Sequence, residues 1–244
     1  MTVIQQPSIE VVEFFESWQG EGPNQGCLAT FIRFKDCNLN CPFCDTKTLI
    51  QSKEPFVLDT NELLISLIKT KYLVITGGEP TLPKYQSQII DLCKLLSEMQ
   101  GLTVGIETNG SYLLDLLTKL DTHVKSFSFN LDIYWSPKTV KDDSKAQLFP
   151  NTKAFFVQTL NNVVRYTRKR DNVSIYVKVV ADEYIDYDYV LACSNNVLPR
   201  HNIYVMPQGT TRKEIFDNCV KVRDIARKHG VNISTRAHIL GLFD

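Results

Sequence analysis

Leu28-Ala29-Thr30-Phe31-Ile32-Arg33-Phe34, followed after Lys35 and Asp36 by Cys37-Asn38-Leu39-Asn40-Cys41-Pro42-Phe43-Cys44, is the stretch on which the fold turns. Its apolar half is rich in aromatic and β-branched residues and predicts a strand over Leu28 to Phe34. That strand delivers Cys37, Cys41 and Cys44, with three and then two residues between them, onto one short loop. Three soft thiolates with no fourth cysteine nearby suit a four-iron cubane in which one iron keeps an open position. An open iron is a place for chemistry, so the loop points to an enzyme. Structural zinc is the plainer alternative, and it asks for four ligands in a tetrahedron. No partner for that is evident: the nearest histidine in sequence is His123, and zinc cysteines usually come as two separated pairs. Seven cysteines, an odd number, in a chain with no signal peptide do not read as a disulfide framework. Cys27, Cys93, Cys193 and Cys219 lie in apolar surroundings and read as small core residues.

Outward from this loop, the 244 residues suit one α/β domain spanning 1–244, and the formal net charge of zero gives no bulk argument for a polyanion. Neither a nucleic-acid nor a membrane partner is implied, because no stretch approaches the apolar length of a bilayer span. The expected location is the cytoplasm, where thiols stay reduced. Short β-branched runs alternate with longer helical ones, the order of parallel strands joined by crossover helices. Strands are predicted over Leu28 to Phe34, Tyr72 to Thr76, Thr103 to Glu107, Ser126 to Leu131, Ser174 to Val180 and Asn202 to Met206. Six strands are too few to close an eight-stranded barrel. Helices are predicted over Asn61 to Thr70 behind a capping Asp59 or Thr60, Gln86 to Met99, and Arg212 to His229, with Gly101 and Gly230 ending the last two. Val140 to Leu160 reads as loop with a short helix.

Ligands of such sheets collect at the C-terminal strand ends. Those ends carry the cysteine loop, Thr76-Gly77-Gly78-Glu79-Pro80, Glu107-Thr108-Asn109-Gly110, Ser136-Pro137-Lys138 and Met206-Pro207-Gln208-Gly209. Adjacent glycines let backbone groups approach a ligand closely, and Gly-Gly is equally a common steric turn. Glu107 offers a carboxylate to ribose or amino groups, while Asn109-Gly110 is also an ordinary turn dipeptide. Ser136, Pro137 and Lys138 offer a hydroxyl, a fixed turn and a cation, or else a solvated lysine. Met206 to Gly209 can cradle a base through backbone groups or be a turn with a core methionine.

The Cys-x3-Cys-x2-Cys spacing followed by Gly77-Gly78-Glu79 resembles the radical S-adenosylmethionine (SAM) superfamily. Within it, Ser17-Trp18-Gln19-Gly20-Glu21-Gly22, Gly26, Phe31-Ile32-Arg33 and Cys44-Asp45-Thr46 resemble the 7-carboxy-7-deazaguanine synthase family over nearly the whole chain. That resemblance implies a partial (βα)6 TIM-like barrel of the radical SAM type with reduced helices. It also implies a lyase that contracts the ring of 6-carboxy-5,6,7,8-tetrahydropterin with loss of ammonia, on the route to queuosine. The implied cofactors are a [4Fe-4S] cluster on Cys37, Cys41 and Cys44, SAM, and Mg2+ held by Thr46. Trp18, Gln19, Gly20, Arg33 and Thr76 match substrate positions. Gly78, Glu79, Glu107, Ser136, Pro137, Lys138, Met206, Pro207, Gln208 and Gly209 match the SAM site. An electron donor such as flavodoxin and a homodimer are the expected partners. The chain departs from the family at its end: His238 stands near the usual histidine, but Ile239 to Asp244 replace the usual terminus and leave a C-terminal substrate contact open. Two rivals stand beside this reading, an activase that places a radical on a partner protein and a cluster-bearing binding protein without turnover.

Overall fold

The protein is represented by a computed structural model that describes residues 7–41, 43–120, 128–135, 153–181 and 188–243. The predicted strand Leu28–Phe34 forms as β3, with β1 (Glu10–Val11) and β2 (Glu13–Trp18) before it. After it come α1 (Lys47–Ser52), β4 (Phe56–Val57), α2 (Thr60–Thr70), β5 (Tyr72–Gly77), α3 (Pro83–Leu96), β6 (Thr103–Thr108), α4 (Leu113–Leu120), β7 (Ser128–Trp135), α5 (Lys153–Thr167) and β8 (Val173–Ala181). The chain continues through α6 (Asp188–Val197), β9 (Ile203–Pro207), α7 (Arg212–His229), β10 (Asn232–Ile233) and α8 (Ala237–Leu240).

Eight strands form one sheet in the order β10-β9-β8-β7-β6-β5-β3-β2, parallel throughout except that β2 runs antiparallel to β3. β2 and β10 are its two ends, so the sheet is an open, partial barrel. A helix follows each of the six predicted parallel strands, the shortest being α1 with 6 residues after β3 and α4 with 8 after β6. β1 and β4 pair separately as a two-stranded ribbon.

Period-two alternation separates the two faces of this sheet. Ile32 and Phe34, Val104 and Ile106, Leu131 and Ile133, Val177 and Val179, Ile203 and Val205 all belong to one apolar core beneath the helices. The intervening residues Phe31, Arg33, Glu107, Asp132, Tyr134, Lys178 and Met206 therefore fall on the opposite, inner face, and that face is where the polar chemistry is gathered.

Local signals explain the boundaries. Asp59 caps α2 by accepting from the Asn61 and Glu62 amides at 2.8 and 3.4 Å. α3 begins at Pro83, ahead of the predicted Gln86, because a proline in the first turn surrenders no helical hydrogen bond. Thr211 and Glu214 form a reciprocal capping box at α7, and Gly230, at φ 64°, ends it in the left-handed conformation. β7 runs on to Trp135, past the predicted Leu131, because Asp132 turns inward to an ion pair instead of ending the strand. β1, β2, β4, β10, α1, α4, α6 and α8 are not among the predicted elements; of Val140 to Leu160, read as loop with a short helix, residues 140–152 lie outside the described residues and α5 begins at Lys153 and runs past Leu160 to Thr167. In β2, Glu-Phe-Phe-Glu-Ser-Trp places two aromatics side by side and blurs the alternation that marks a strand. No described helix is long and apolar enough to cross a membrane.

Candidate active site

A cavity of about 380 Å³ opens at the C-terminal strand ends, and Cys37, Cys41 and Cys44 line it together with Trp18, Gln19, Gly20, Arg33, Thr76, Gly78, Glu107 and Met206. The loop after β3, the loop after β5 and the segment after β2 thus meet as the sequence spacing requires. None of the three is in a disulfide, and all are partly exposed. Burial, with the Glu79 carboxylate behind it, pushes the Cys37 thiol up to about 12, so binding iron must displace a proton there. Among the described residues no three His, Cys, Asp or Glu side chains converge as one metal ion would require. A cubane distributes its thiolates over different irons and makes no such demand. Three thiols lining one cavity, none of them spent on a disulfide, fit a cluster with an open iron.

Gly77 and Gly78 press against the start of the cysteine loop. A Cβ on Gly77, whose φ is 138°, would lie 2.2 Å from the Phe34 carbonyl oxygen, and one on Gly78 would lie 2.3 Å from that of Asp36. Only glycine fits this approach. The Gly78 amide donates to Phe34 O at 3.0 Å and the Glu79 amide to Asp36 O at 2.7 Å, which locks the two loops in register. The glycine backbone then faces the cavity beside the cysteines, a cradle suited to the polar end of SAM.

Glu79, expected at SAM, has a fully buried side chain and does not line the cavity. Its carboxylate accepts from the Thr81 amide and hydroxyl at 2.9 and 2.5 Å, the Thr108 hydroxyl at 2.6 Å and the Asn109 amide at 2.7 Å. Burial drives its pKa up and these donors oppose the rise. The residue ties the β5 end to the β6 end. Asn38, inside the cysteine loop, continues the tie by accepting from Asn109 Nδ2 at 2.9 Å and donating to Ser111 at 3.0 Å.

The segment Gln19 to Asn24 spans from the β2 edge toward β10 and α8. Ala237 N donates to Gly20 O at 3.0 Å, and Gly22 N donates to the Ser234 hydroxyl at 2.7 Å. Glu21 accepts from Arg236 Nε at 3.0 Å and from the Tyr134 hydroxyl at 2.7 Å. Gln19 Nε2 donates to Glu107 Oε1 at 3.0 Å, and its own Oε1 accepts the Glu21 amide at 3.2 Å. Burial works against the Glu21 charge, but Arg236, Lys178 and His238 outweigh it and hold the pKa below the usual carboxylate value. Burial among carboxylates drives the Tyr134 hydroxyl well up, so it remains a donor. Arg236 also reaches Asp45 and donates to Gly209 O at 2.6 Å.

Thr46 lines the cavity with its hydroxyl 3.5 Å from Cys44 Sγ, and although it stands at the N-terminus of α1 it makes no capping bond there. That hydroxyl is a hard oxygen of the kind magnesium prefers. Arg33, expected at substrate, is engaged through Nε with Glu13 at 2.7 Å while still lining the cavity. Met206 lines it, whereas Pro207, Gln208 and Gly209 do not, and the last of these serves instead as the backbone acceptor for Arg236. Ser136, Pro137 and Lys138 lie outside the described residues. Sequence reasoning assigned no site role to Phe15, Glu21, Asp45, Tyr134 or Arg236, all of which line the cavity. Glu21 and Asp45 sit inside the quoted motifs, and Tyr134 and Phe15 are readable only once strand faces are known.

The family profile of the radical SAM superfamily matches residues 31–181. A 7-carboxy-7-deazaguanine synthase from Clostridium acetobutylicum is 35% identical over 201 residues, covering 81% of this chain and 80% of the relative. One from Hyperthermus butylicus is 30% identical over 240 residues, covering 95% and 92%. In fold, the chain is similar to the crystal structure of QueE from Escherichia coli, with a TM-score of 0.58 at 19% identity and 95% of each chain covered. With its cysteine loop, glycine cradle and open parallel sheet matched over this length, the chain belongs to the radical SAM superfamily and, within it, to the 7-carboxy-7-deazaguanine synthase family.

Proposed function

We propose that this chain converts 6-carboxy-5,6,7,8-tetrahydropterin to 7-carboxy-7-deazaguanine with release of ammonia. The observation that carries the reading is the one cavity lined by the three cysteines and Gly78 together with Gln19, Glu107 and Arg33. When bound, the cluster and SAM supply a 5'-deoxyadenosyl radical able to take the hydrogen from C6 of the pterin, the cofactor carrying the difficult chemistry.

The chain's own residues bind, orient and shield. The pterin edge presents N–H donors and a carbonyl, and the Gln19 amide with the Glu107 carboxylate offers matching acceptors and donors. Arg33, held through Nε by Glu13 and lining the cavity, would offer its remaining guanidinium N–H groups to the substrate carboxylate. Thr46 would hold Mg2+ against that same carboxylate. Phe15 and Phe31 stack at 5.0 Å on the cavity wall and, with Trp18, exclude water from the reacting carbon. The same reading takes 1–244 as one domain, on its length, working in the cytoplasm with a flavodoxin-type reductant and, as is common for soluble enzymes, as a homodimer.

Anaerobically reconstituted protein, incubated with SAM, reductant, magnesium and the pterin, tests the reading by mass spectrometry. 7-Carboxy-7-deazaguanine is the expected product. 5'-Deoxyadenosine without any deazaguanine would reject this substrate, and its formation in proportion to a radical on a partner protein would favour the activase.

A further inference from the structure

We propose that Lys178 is a positioning residue for the substrate site, a buried ammonium that fixes Glu107 and Glu21 at the cavity wall without touching the ligand. The assignment rests on reading the cavity as a pterin site. Lys178 lies on β8, is fully buried and does not line the cavity, whereas Glu21, Glu107 and Tyr134 all do. Its Nζ is 2.5 Å from Asp132 Oδ2 on β7 and 3.9 Å from both Glu21 Oε2 and Glu107 Oε1. It also donates to the Tyr134 hydroxyl at 2.7 Å, which passes a hydrogen bond on to Glu21 at 2.7 Å.

The backbone above it is shaped to the lysine. Gly22, at φ 67°, rests on the side chain so closely that a Cβ would lie 2.5 Å from Lys178 Cε. The Gln19 to Gly22 segment therefore sits on the ammonium, and Gln19 is in turn bonded to Glu107. A lone lysine in the run Val-Ser-Ile-Tyr-Val-Lys-Val-Val-Ala is costly unless it is paired, and here it serves three carboxylates from three parts of the fold.

Glu107 on β6 interacts with Lys178 from β8, with Asp132 and Tyr134 from β7, with Tyr72 from β5 and with Gln19 from the segment after β2, while Glu21 of that segment meets the same ammonium. Arg236 lies beyond Glu21. Lys178 is the cation shared by Glu107 and Asp132. Burial opposes its charge, but Asp132, Glu107 and Glu21 more than offset this and keep it protonated. Asp132 shows the opposite balance, raised by burial with Glu107 and Glu21 adding to the rise against Lys178. Removing the ammonium leaves the carboxyls repelling one another in a dry site, so the cluster, led by Asp132, which burial already raises, holds a proton to higher pH and Glu107 loses the cation that fixes its place.

The test is equilibrium dialysis of 6-carboxytetrahydropterin, under argon with SAM and no reductant, against cluster-loaded protein between about pH 6.5 and 8.5. Wild-type affinity should vary little. Lys178→Met should weaken binding by about tenfold or more at the acid end, the loss of a charged hydrogen bond, and the deficit should shrink as pH rises. Lys178→Met with Asp132→Asn, which removes one competing acid, should recover part of the loss. If Lys178→Met does not fold, that double variant is compared with Asp132→Asn alone, and should bind more weakly at the acid end and catch up at higher pH. Equal binding at every pH, or a deficit independent of pH that the second substitution does not relieve, overturns the assignment. Wild-type protein that fails to bind the pterin overturns the site reading itself, and this assignment with it.

Discussion

Glu79 accepts four hydrogen bonds from two strand-end loops and has no exposed surface. Glu79→Ala leaves those donors without a partner and should cost about 3 kcal/mol of stability, read from the urea midpoint; a change under about 0.5 kcal/mol would contradict the network. Thr46 is the opposite kind of residue, partly exposed with its hydroxyl unused by the helix it precedes. Thr46→Ala should leave the visible absorbance of the reconstituted cluster intact while lowering turnover and changing the magnesium requirement; unchanged activity and magnesium response would remove it from the metal site. The cysteines were legible in the sequence because thiolate spacing on a single loop is a local property. Glu79 was legible in position but not in task, since whether a carboxylate faces a cavity or a neighbouring loop depends on partners 29 and 30 residues away. Lys178 and Asp132 carried a faint signal, a charge inside an apolar strand, but their pairing depends on β7 and β8 being neighbours.

The segment Gln19 to Asn24 links the open edges of the sheet, and its glycines are set by what they touch. Gly22→Ala would drive a methyl into Lys178 from a left-handed backbone and should destabilise the protein by about 2 kcal/mol, with a larger loss of pterin binding than of cluster content. Retained stability and affinity would show that the segment does not rest on Lys178. α8 docks on this segment through Ala237 and through His238, which faces Asp45 at 3.5 Å and Glu21 at 3.8 Å. Burial lowers the His238 pKa, but the two carboxylates more than compensate and raise it above its ordinary value. Its contribution is therefore fully present below the unfolded-state pKa and is lost as pH rises through the higher folded value. Amide exchange in α8, corrected for intrinsic rates, should show protection falling over that upward range. Protection that increases with pH would contradict the pairing. β3 and α7 matched the sequence reading end to end because each is long, periodic and clearly bounded. α4 and α8, of 8 and 4 residues, form through tertiary packing that no local window contains.

At the scale of the molecule, the sheet sorts its chemistry by face: apolar residues lie beneath the helices, while acids, Lys178 and aromatics lie within, open at the C-terminal strand ends where the cysteines stand. That division follows from two-residue alternation applied strand after strand, and it brings the cysteine loop and the Gln19–Glu107 pair to one cavity. The central claim is that this cavity holds C6 of the pterin against the radical carbon. A pterin deuterated at C6 tests it directly. Under turnover, SAM recovered from the reaction should carry deuterium at its 5' carbon, because the hydrogen taken from C6 returns through the same carbon as SAM is re-formed. Product accumulating with unlabelled SAM, or unlabelled 5'-deoxyadenosine released without any deazaguanine, would contradict the account.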